Sequence, residues 1–451
     1  MTTYTAYAHQ KKTIEFYRKN DRAFDASDMG CGKSFCVIKD VEHRLYSNLD
    51  SKTLILAPKS LLETVWKNDF NKFAPHIEVS VAVAPTIKRE AAFAKQAHVY
   101  VTNIDALVWL TNRPISFWDN FETIVIDEST TIKNDSGRGK AAQKIKQYFK
   151  YRRCLSGTPT AGLLTDLFYQ YLFLDDGATL GHSFHKFRNQ VLIAKQTGPH
   201  PKMVTWSNKP GREKILGHLL KPMTIRHILE DVVDMPPTVK YTYKFKLNHK
   251  MRQAYESLRT TTRVALKTGE VNAINAAALS TKLLQCCSGA IIDTETGDKH
   301  LVDTQRYDLV LDLVDQTPHS VVFYNWKHQR EYMTEQAAKR NISYTFIDGT
   351  VSFKKREQII NDYQAGKYTT IFLQLKSSSH GLTLTKATHT IWSCPSYLGD
   401  YYKQANRRVY RIGQTKRTTV INIEAENTLE KTVYEKLDGK LNAMELLTEV
   451  L

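Results

Sequence analysis

The sequence predicts an α/β protein with two doubly wound parallel sheets. Short apolar runs alternate with helix-like stretches, and this alternation occurs once in each half of the chain. The runs show little polar alternation, which is typical of parallel strands covered by helices on both faces. Proteins of this class bind ligands at the carboxyl ends of their strands, and the polar motifs described below follow directly after predicted strands.

The predicted strands are short runs rich in Val, Ile, Leu, Thr and aromatic residues. The first half of the chain contains such runs at 53–58, 99–103, 123–128 and 152–159. The second half contains them at 320–325, 344–349, 369–375, 389–394 and 418–425. Helical patterns lie between the strands, at 60–73, 327–340 and 352–365. A last, core-packing helix is predicted by the four-residue spacing of Leu429, Val433, Leu437 and Leu441.

The pattern changes between the two halves. Residues 248–287 are predicted to be helical, and the paired prolines of MPPTV at 235–239 form a stiff break between two lobes. We therefore expect a helical insertion on each lobe. The predicted domains are lobe 1 at 1–175, its helical insertion at 176–234, a linker with the helical insertion of lobe 2 at 235–300, and lobe 2 with the last helix at 301–451.

Composition narrows the class of protein. A chain of 451 residues is too long for one ordinary core. Its 63 basic and 46 acidic side chains give a net charge of +17. This charge favours a protein that binds a polyanion such as nucleic acid over a basic protein that binds none. The six cysteines include no C-x-x-C pair, so neither zinc nor a redox dithiol is expected. No disulfide framework, signal peptide or membrane span is indicated, and we expect a cytoplasmic protein.

The segment DMGCGKS at 28–34 resembles a phosphate-binding loop. Such a loop needs glycines, here Gly30 and Gly32, so that the backbone can turn several N–H groups toward phosphate oxygens. One position departs from the full pattern, because Ser27 stands where glycine is expected. Taken alone, the segment is also compatible with an ordinary glycine-rich turn.

Four polar residues complete the predicted phosphate site. Lys33 is expected to neutralise the β- and γ-phosphates, and the Ser34 hydroxyl to bind Mg²⁺. The strand TIVIDE ends in Asp127, a second predicted Mg²⁺ ligand, and Glu128, which is expected to orient and polarise the attacking water. An acidic loop start is common after any strand, but the combination with Lys33 favours hydrolysis of a nucleoside triphosphate.

A basic segment near the C-terminus predicts arginine fingers. Residues 403–417 contain six basic side chains and no acidic one, and such a run is usually a solvated face. Arg408 and Arg411 are three residues apart, which predicts that they share a helix face. Fixed guanidinium groups stabilise the charge of a phosphoryl-transfer transition state better than mobile lysines.

These motifs make the chain similar to a Snf-type (Swi/Snf-like) ATPase of helicase superfamily 2. DMGCGKS resembles motif I, and VIDEST resembles motif II with Ser129 and Thr130 in place of Ala-His. LAPKSLLETVWKNDFNKF, VTNIDAL and LSGTPTAGLLTDLFYQYLFLD resemble motifs Ia, Ib and III. SSSHGLTLTKA resembles motif V, and QANRRVYRIGQTKRTTV, with its specific RIGQ ending, resembles motif VI. IDGTVSFKKREQIINDYQAG looks like the segment after motif IV, and IRHILEDVVDMPPTV resembles the stretch after the first helical insertion.

The resemblance implies two RecA-like lobes with ATP between them. It implies that Gln10 reads the adenine edge and that Gly30, Cys31 and Gly32 cradle the phosphates. Residues expected to couple hydrolysis to movement are Ser156, Gly157, Thr158 and Gln404. Residues expected to contact nucleic acid are Pro58, Lys59, Thr102, Asn103, Trp326, Ser378 and Ser379. Motif V departs from the family, with Ser378 and Ser379 at usual glycine positions and Thr383 at a usual asparagine position.

The resemblance also implies a substrate. The family acts on duplex DNA, and this compact chain is most similar to members from bacteriophages and bacteria. We expect a monomeric DNA translocase or helicase, without zinc or membrane contacts, that remodels branched or forked DNA in replication, recombination or repair. Its contacts should be to the phosphate backbone. The alternatives are an RNA helicase, disfavoured by RIGQ, and a basic DNA-binding scaffold without motor activity, disfavoured by the intact ATP-site residues.

Overall fold

The computed structural model describes residues 4–160, 162–196, 204–267, 281–292, 299–378, 382–396 and 399–437. The chain divides into two compact units, of which the first is built mainly from Met1–Ile193 and Trp206–Asp234 and the second from Met235–Lys440. Each unit contains its own parallel sheet. Among the described residues, no helix is both long and apolar enough to cross a membrane.

The sheet of the first unit has seven strands in the order β3-β4-β2-β5-β6-β1-β9. The first nine strands of the chain are β1 Arg22–Asp25, β2 Lys52–Ala57, β3 Val79–Ala82, β4 Val99–Asn103, β5 Phe121–Asp127, β6 Tyr151–Leu155, β7 Leu192–Gln196, β8 Val204–Asn208 and β9 Thr224–Ile225. All six pairings within the seven-stranded sheet are parallel, whereas β7 and β8 form a separate two-stranded sheet. The carboxyl ends of β1, β5 and β6 therefore meet at one edge, where Asp25 and Asp127 both pair with Leu155.

Helices cover both faces of this sheet. Its α-helices are Ala8–Lys19, Lys33–Ser47, Asn68–Phe73, Thr86–Phe93, Leu107–Leu110, Gly137–Ile145, Phe168–Asp175, Phe184–Val191, Arg212–Leu220 and Leu229–Val232. Shorter 3₁₀ turns are Lys59–Leu61, Ile104–Ala106, Ile115–Trp118, Ser129–Ile132, Lys146–Tyr148, Leu164–Leu167 and Lys221–Met223, with a π-helix at Leu62–Lys67. Alternate residues of β5 enter opposite cores, since Ile124 and Ile126 pack in one cluster and Val125 in the other. This two-sided burial explains the apolar strands of the sequence.

The second unit repeats the architecture with six parallel strands in the order β10-β17-β16-β13-β15-β14. Its strands are β10 Thr238–Phe245, β11 Ala290–Ile292, β12 Lys299–Leu301, β13 Ser320–Tyr324, β14 Tyr344–Ile347, β15 Thr370–Gln374, β16 His389–Trp392 and β17 Thr418–Ala425, of which β11 and β12 form an antiparallel pair. Its helices are His249–Lys267, 281–287, Gln305–Gln316, Lys327–Lys339, Phe353–Gln364, Leu375–Ser378, Gly399–Asn406 and 429–437. Val321 and Phe323 face one core, and Val322 and Tyr324 face the other.

The predicted fold class, two doubly wound α/β lobes, is confirmed, and every predicted strand is present. The segment predicted as the helix 60–73 is a succession of 3₁₀, π- and α-helical turns instead. The region predicted as a linker and helical insertion, 235–300, also contains strands that were not predicted. These are β10, an edge strand that pairs with β17, and β11 with the start of β12. Strand β10 reads TVKYTYKF with most of its side chains exposed, so it lacks the apolar run by which buried strands were recognised. Leu441 and part of the predicted helix 248–287 lie outside the described residues.

A buried ion pair holds the last described helix to the second unit. Arg306 Nη2 lies 2.8 Å from both carboxylate oxygens of Glu430, and both side chains are almost fully enclosed. Glu430 also accepts a bond of 2.8 Å from the Ala425 backbone N–H. The pair therefore joins this helix to the end of β17 and to helix Gln305–Gln316.

We expect Glu430→Gln to destabilise the second unit by about 3–5 kcal/mol, because Arg306 would keep its buried charge without a counter-charge. The matched control is Glu435→Gln on the same helix, whose contact with Lys431 spans 3.8 Å at the exposed surface and contributes about 0–1 kcal/mol. Urea unfolding of the wild type and both variants measures the difference. Equal unfolding midpoints for the two variants would show that the buried pair adds nothing beyond a surface pair.

Candidate nucleotide site

The loop after β1 has the backbone shape that its sequence predicts. Gly30 and Gly32 adopt φ angles of +94° and +82°, a region disfavoured for residues with a side chain. Gly32 is the N-cap of helix Lys33–Ser47. The loop therefore leads directly into the N-terminus of a long helix, where backbone N–H groups and the helix dipole favour an anion.

Ser27, the position that departs from the phosphate-loop pattern, is a structural anchor. Its backbone N–H donates to Asp25 Oδ1 at 2.9 Å, while Tyr17 donates its hydroxyl to Asp25 Oδ2 at 2.7 Å. The Ser27 hydroxyl accepts a bond of 3.1 Å from the backbone N–H of His227, 200 residues along the chain. Glycine could not make this last bond, so serine here ties the loop to a distant segment.

That distant segment, 225–227, borders the loop as an extension of the sheet. The Ala26 N–H donates to the Ile225 carbonyl and the Asp28 N–H to the His227 carbonyl, both at 2.9 Å. Arg226 lies 3.7 Å from the Asp28 carboxylate, and both side chains are almost fully buried. Residues 225–227 were not among the predicted residues of the nucleotide site, because no local pattern shows which loop a segment 200 residues away will contact.

Gln10 packs directly on the loop. Its amide nitrogen donates to the Cys31 carbonyl at 3.4 Å, and its amide oxygen accepts from the Tyr7 N–H at 3.0 Å. A Cβ added to Gly32 would lie 2.2 Å from the Gln10 amide nitrogen. The φ angle of +82° favours glycine at 32, and any larger residue would also have to displace the end of the Gln10 side chain. The predicted reading of the adenine edge by Gln10 remains a prediction.

The predicted phosphate and magnesium groups are partnered within the protein. The Lys33 ammonium donates to the carbonyls of Ser27 at 2.6 Å and Asp28 at 3.1 Å. The Ser34 hydroxyl donates to the Asp69 carboxylate at 2.7 Å. Lys33 thus points back over its own loop. Asp69, in helix Asn68–Phe73, is an acidic neighbour that the sequence analysis missed.

Asp127 is the last residue of β5, and Glu128 follows it directly. Asp127 Oδ2 accepts from the Trp66 indole N–H at 3.0 Å, and its Oδ1 accepts from the Glu128 N–H at 3.1 Å. Burial raises the pKa of the Asp127 carboxyl, an effect opposed by the charge of Lys33 and by these hydrogen bonds. Glu128 has a φ of +55°, and Thr131 donates its backbone N–H and hydroxyl to the Glu128 carbonyl at 3.0 and 2.9 Å. Such backbone strain is common at functional sites.

The predicted coupling segment after β6 contacts the same loop. The Ser156 N–H donates to the Asp25 carbonyl at 3.1 Å, and the Ser156 hydroxyl accepts from the Thr158 N–H at 3.2 Å. A Cβ added to Gly157 would lie 3.2 Å from the Met29 side chain and 3.3 Å from its backbone nitrogen. The structure therefore brings Ser156, Gly157 and Thr158 together with the phosphate loop.

The residues predicted to contact nucleic acid in this unit follow β2 or end β4. Lys59 is exposed and Pro58 is half-buried. Thr102 is fully buried and donates its hydroxyl to the Ala82 carbonyl at 2.6 Å, so the hydroxyl does not face solvent. Asn103 is largely buried and accepts a bond of 3.3 Å from Arg89. Among these side chains, that of Lys59 is best placed to meet a phosphate.

The arginine segment lies in the second unit and is not the predicted helix face. The preceding helix ends at Asn406, and the chain continues through turns that include Gly413 with a φ of +98°. Arg408 and Arg411 are therefore presented from a turn, because local bonds such as Arg408 N–H to the Ala405 carbonyl replace the helical pattern. Arg408 is largely buried.

Motif V supports this turn. Arg411 Nη1 donates to the Thr383 hydroxyl at 2.8 Å and to the Leu382 carbonyl at 3.3 Å. The Gln414 amide donates to the Ala387 carbonyl at 2.8 Å and the Thr385 carbonyl at 3.1 Å. Thr383, which departs from the family pattern, thus provides an oxygen that holds a predicted finger.

The remaining predicted residues of the second unit have varied surroundings. Trp326 is the N-cap of helix Lys327–Lys339 and packs partly against the core. Gln404 is largely buried. Ser378 ends the short helix Leu375–Ser378, and Ser379 lies outside the described residues. Their predicted roles remain predictions.

A glycine loop with positive φ angles, a lysine at a helix N-terminus and the acidic pair Asp127-Glu128 where β5 ends are the features of an ATP-hydrolysing enzyme. The chain matches the SNF2-related domain over residues 9–290 and the helicase conserved C-terminal domain over residues 305–413. It therefore belongs to the SNF2-related family of ATP-dependent helicases and translocases, and the predicted Snf-type ATPase class is confirmed.

Three known proteins are similar to this chain. Protein p41 of Acyrthosiphon pisum secondary endosymbiont phage 1 is 26% identical over 100% of this chain and 99% of its own length. An uncharacterized ATP-dependent helicase of Mycoplasma pneumoniae is 27% identical over 91% of this chain, which spans only 38% of that relative. The structure of the Sulfolobus solfataricus SWI2/SNF2 ATPase core in complex with dsDNA is 23% identical, with a TM-score of 0.45 over 97% of this chain and 91% of that one.

Lys33→Ala is expected to lower ATP affinity at least about tenfold, because the β- and γ-phosphate charge loses its partner. Equilibrium titration with a fluorescent ATP analogue measures the affinity. The control is Lys39→Ala on the same helix, since Lys39 binds Glu42 and the Phe73 carbonyl instead. Wild-type affinity in Lys33→Ala would remove this lysine from the nucleotide site.

Proposed function

We propose that the protein is an ATP-dependent DNA translocase that remodels branched or forked DNA. The observation that carries the proposal is the convergence of three segments at one edge of the first sheet. These are the phosphate loop after β1, Asp127 and Glu128 at the end of β5, and the Ser156–Thr158 segment after β6. Parallel strands place their carboxyl ends at one edge of the sheet. The proposed ATP site therefore lies next to the Ser156–Thr158 segment, which could move when ATP is hydrolysed.

The residues present fit ATP with Mg²⁺. Gly30 and Gly32 give the loop the positive φ angles that turn its N–H groups toward a phosphate. Lys33 donates to two carbonyl oxygens of that loop, and a movement of its side chain would let the ammonium bind phosphate oxygens instead. Ser34 and Asp127 supply oxygen ligands of the kind that Mg²⁺ prefers. Mg²⁺ held by these two residues would neutralise part of the phosphate charge.

Within this site, each protein group has a separate task. Glu128 orients the attacking water and accepts its proton as the water oxygen bonds to the terminal phosphorus and the bond to the departing ADP oxygen breaks. Lys33 neutralises the charge on the phosphates. Arg408 and Arg411 are the proposed arginine fingers, whose guanidinium groups would stabilise the charge of the transition state.

Nucleic acid is the proposed track because the chain has a net charge of +17 and belongs to the SNF2-related family. The exposed ammonium of Lys59 suits a phosphate oxygen and reads no base edge. Binding should therefore depend little on sequence and fall steeply with salt. The choice of forks or junctions as the working site of the motor is part of this proposal, and the following experiment tests it.

The substrate is tested with a mobile four-way junction and a blunt duplex of equal length, each incubated with protein and ATP. Pumping one arm of a junction exchanges base pairs at little net cost, whereas separation of a plain duplex loses every pair. We expect ATP-dependent conversion of the junction and little strand separation of the blunt duplex. Equal or faster unwinding of the blunt duplex would contradict the branch-directed function, and ATPase stimulation by RNA alone would favour an RNA helicase.

A further inference from the structure

A buried hydrogen bond links the acidic end of β5 to the helix Phe168–Asp175. The Ser129 hydroxyl, on the residue directly after Glu128, donates to the Gln170 amide oxygen at 2.7 Å. Both side chains are fully enclosed, with 0% exposure. The helix around Gln170 reads FYQYLFLD, and its neighbours Phe168, Tyr171 and Phe173 lie in the first-unit core. A primary amide in such a place is costly unless all its polar atoms are bonded.

The other end of the amide reaches the segment after β6. Gln170 Nε2 donates to the Pro159 carbonyl at 2.9 Å and to the Asp166 carbonyl at 2.7 Å. Pro159 directly follows Thr158, one of the predicted coupling residues. The Gln170 side chain therefore connects the peptide next to Glu128 with the segment next to Thr158. Its hydrogen bonds are buried away from water, and such bonds are stronger and more costly to lose than exposed ones.

The geometry points to Gln170 as a positioning residue for Glu128, an inference that rests on the proposed function. Glu128 occupies a left-handed backbone conformation, so its carboxylate depends on what fixes the peptide that follows. Ser129 fixes that peptide to Gln170, and Gln170 fixes it to Pro159. A shift of the segment after β6 is thereby transmitted to the residue that orients the attacking water. The Ala-His form of motif II, which Ser129-Thr130 replaces here, has no hydroxyl at this position to make the link.

The test compares Ser129→Ala, Gln170→Leu and the double variant in ATP turnover stimulated by duplex DNA. Rates are normalised to nucleotide-binding sites, so that misfolded protein does not count. We expect each single variant to lower kcat about tenfold with KM for ATP changed less than about twofold, because orientation of water matters only in the transition state. The double variant should be no more than about twofold slower than either single variant, because all three break the same link.

The matched control is Gln143→Leu. Gln143 also donates its amide to a backbone carbonyl of helix Phe168–Asp175, that of Tyr169 at 3.0 Å. It lies on helix Gly137–Ile145, and its amide oxygen accepts from Lys146 at 2.9 Å and not from Ser129. It should keep kcat within about twofold of the wild type. If Gln170→Leu does not fold, the kcat of Ser129→Ala alone tests the positioning role, since this substitution removes only one oxygen atom.

The outcomes separate this inference from the proposed function. Wild-type turnover that DNA does not stimulate would overturn both. Stimulated wild-type turnover with wild-type kcat in Ser129→Ala would overturn the positioning role and leave the proposed function standing. The positioning role would also be overturned if the two single losses of kcat multiplied in the double variant, because the two side chains would then act independently. A rise in KM with unchanged kcat would overturn it as well, because Gln170 would then affect ATP binding and not the orientation of water.

Discussion

Glu128→Gln is expected to leave ATP bound and to lower its hydrolysis by about 10²–10⁴-fold. The carboxamide keeps the size of the side chain but cannot accept the proton of the attacking water. Loop contacts made by Lys33, Ser34 and Gln10 do not involve the Glu128 side chain, so nucleotide affinity should be preserved. Steady-state turnover and equilibrium binding of the same preparation measure the two properties separately.

The control for this variant is Glu122→Gln, at the opposite end of the same strand. Glu122 accepts bonds from Asn48 at 2.9 Å and Ser51 at 3.0 Å, far along β5 from Asp127. It should retain wild-type turnover. Near-normal hydrolysis by Glu128→Gln would remove Glu128 from its assigned role.

Arg408→Ala and Arg411→Ala are each expected to lower DNA-stimulated kcat by about 10³-fold while ATP affinity changes little. The two guanidinium groups are expected to interact with the nucleotide mainly in the transition state, so their loss should lower kcat and leave ATP affinity almost unchanged. Arg411→Lys should recover little of the activity, because lysine lacks the planar fork that reaches both Thr383 and Leu382. Stopped-flow single-turnover hydrolysis separates the chemical step from binding.

Arg407→Ala is the control for charge. It removes one positive charge next to Arg408, and the Arg407 guanidinium packs near the Tyr410 ring at 5.3 Å. A loss equal to that of Arg408→Ala would mean that the segment acts only through its net charge. Variants of Arg408 and Arg411 that lose ATP affinity but keep the maximal rate would identify these two residues as binding groups and not as fingers.

The strands and the acidic residues at the end of β5 could be predicted from the sequence, because these acidic residues come directly after an apolar run. A buried parallel strand is a short apolar run, and β5 ends such a run in Asp127, with Glu128 as the next residue. Because parallel strands meet at their carboxyl ends, the motif order along the chain was enough to place these acids near Lys33, whose charge acts on the pKa of Asp127.

Residues whose importance comes from packing were not predicted. Trp66, Asp69, Gln170 and His227 each bond to a motif residue from another segment, and no periodicity in their own segments indicates this. Ser27 departs from the phosphate-loop pattern, and its bond to His227 gives this departure a structural role that the pattern does not indicate. The helical face predicted for Arg408 and Arg411 was wrong because three-residue spacing also occurs in consecutive turns.

The central claim is that hydrolysis at this site drives movement along duplex DNA. Displacement of a third strand from a DNA triplex tests this most directly, because it requires translocation and no unwinding of the underlying duplex. The account predicts ATP-dependent displacement by the wild-type protein at low salt and none by Glu128→Gln, although both bind DNA and ATP. Robust DNA-stimulated hydrolysis by the wild type without any displacement, on triplexes with either flank extended, would contradict it.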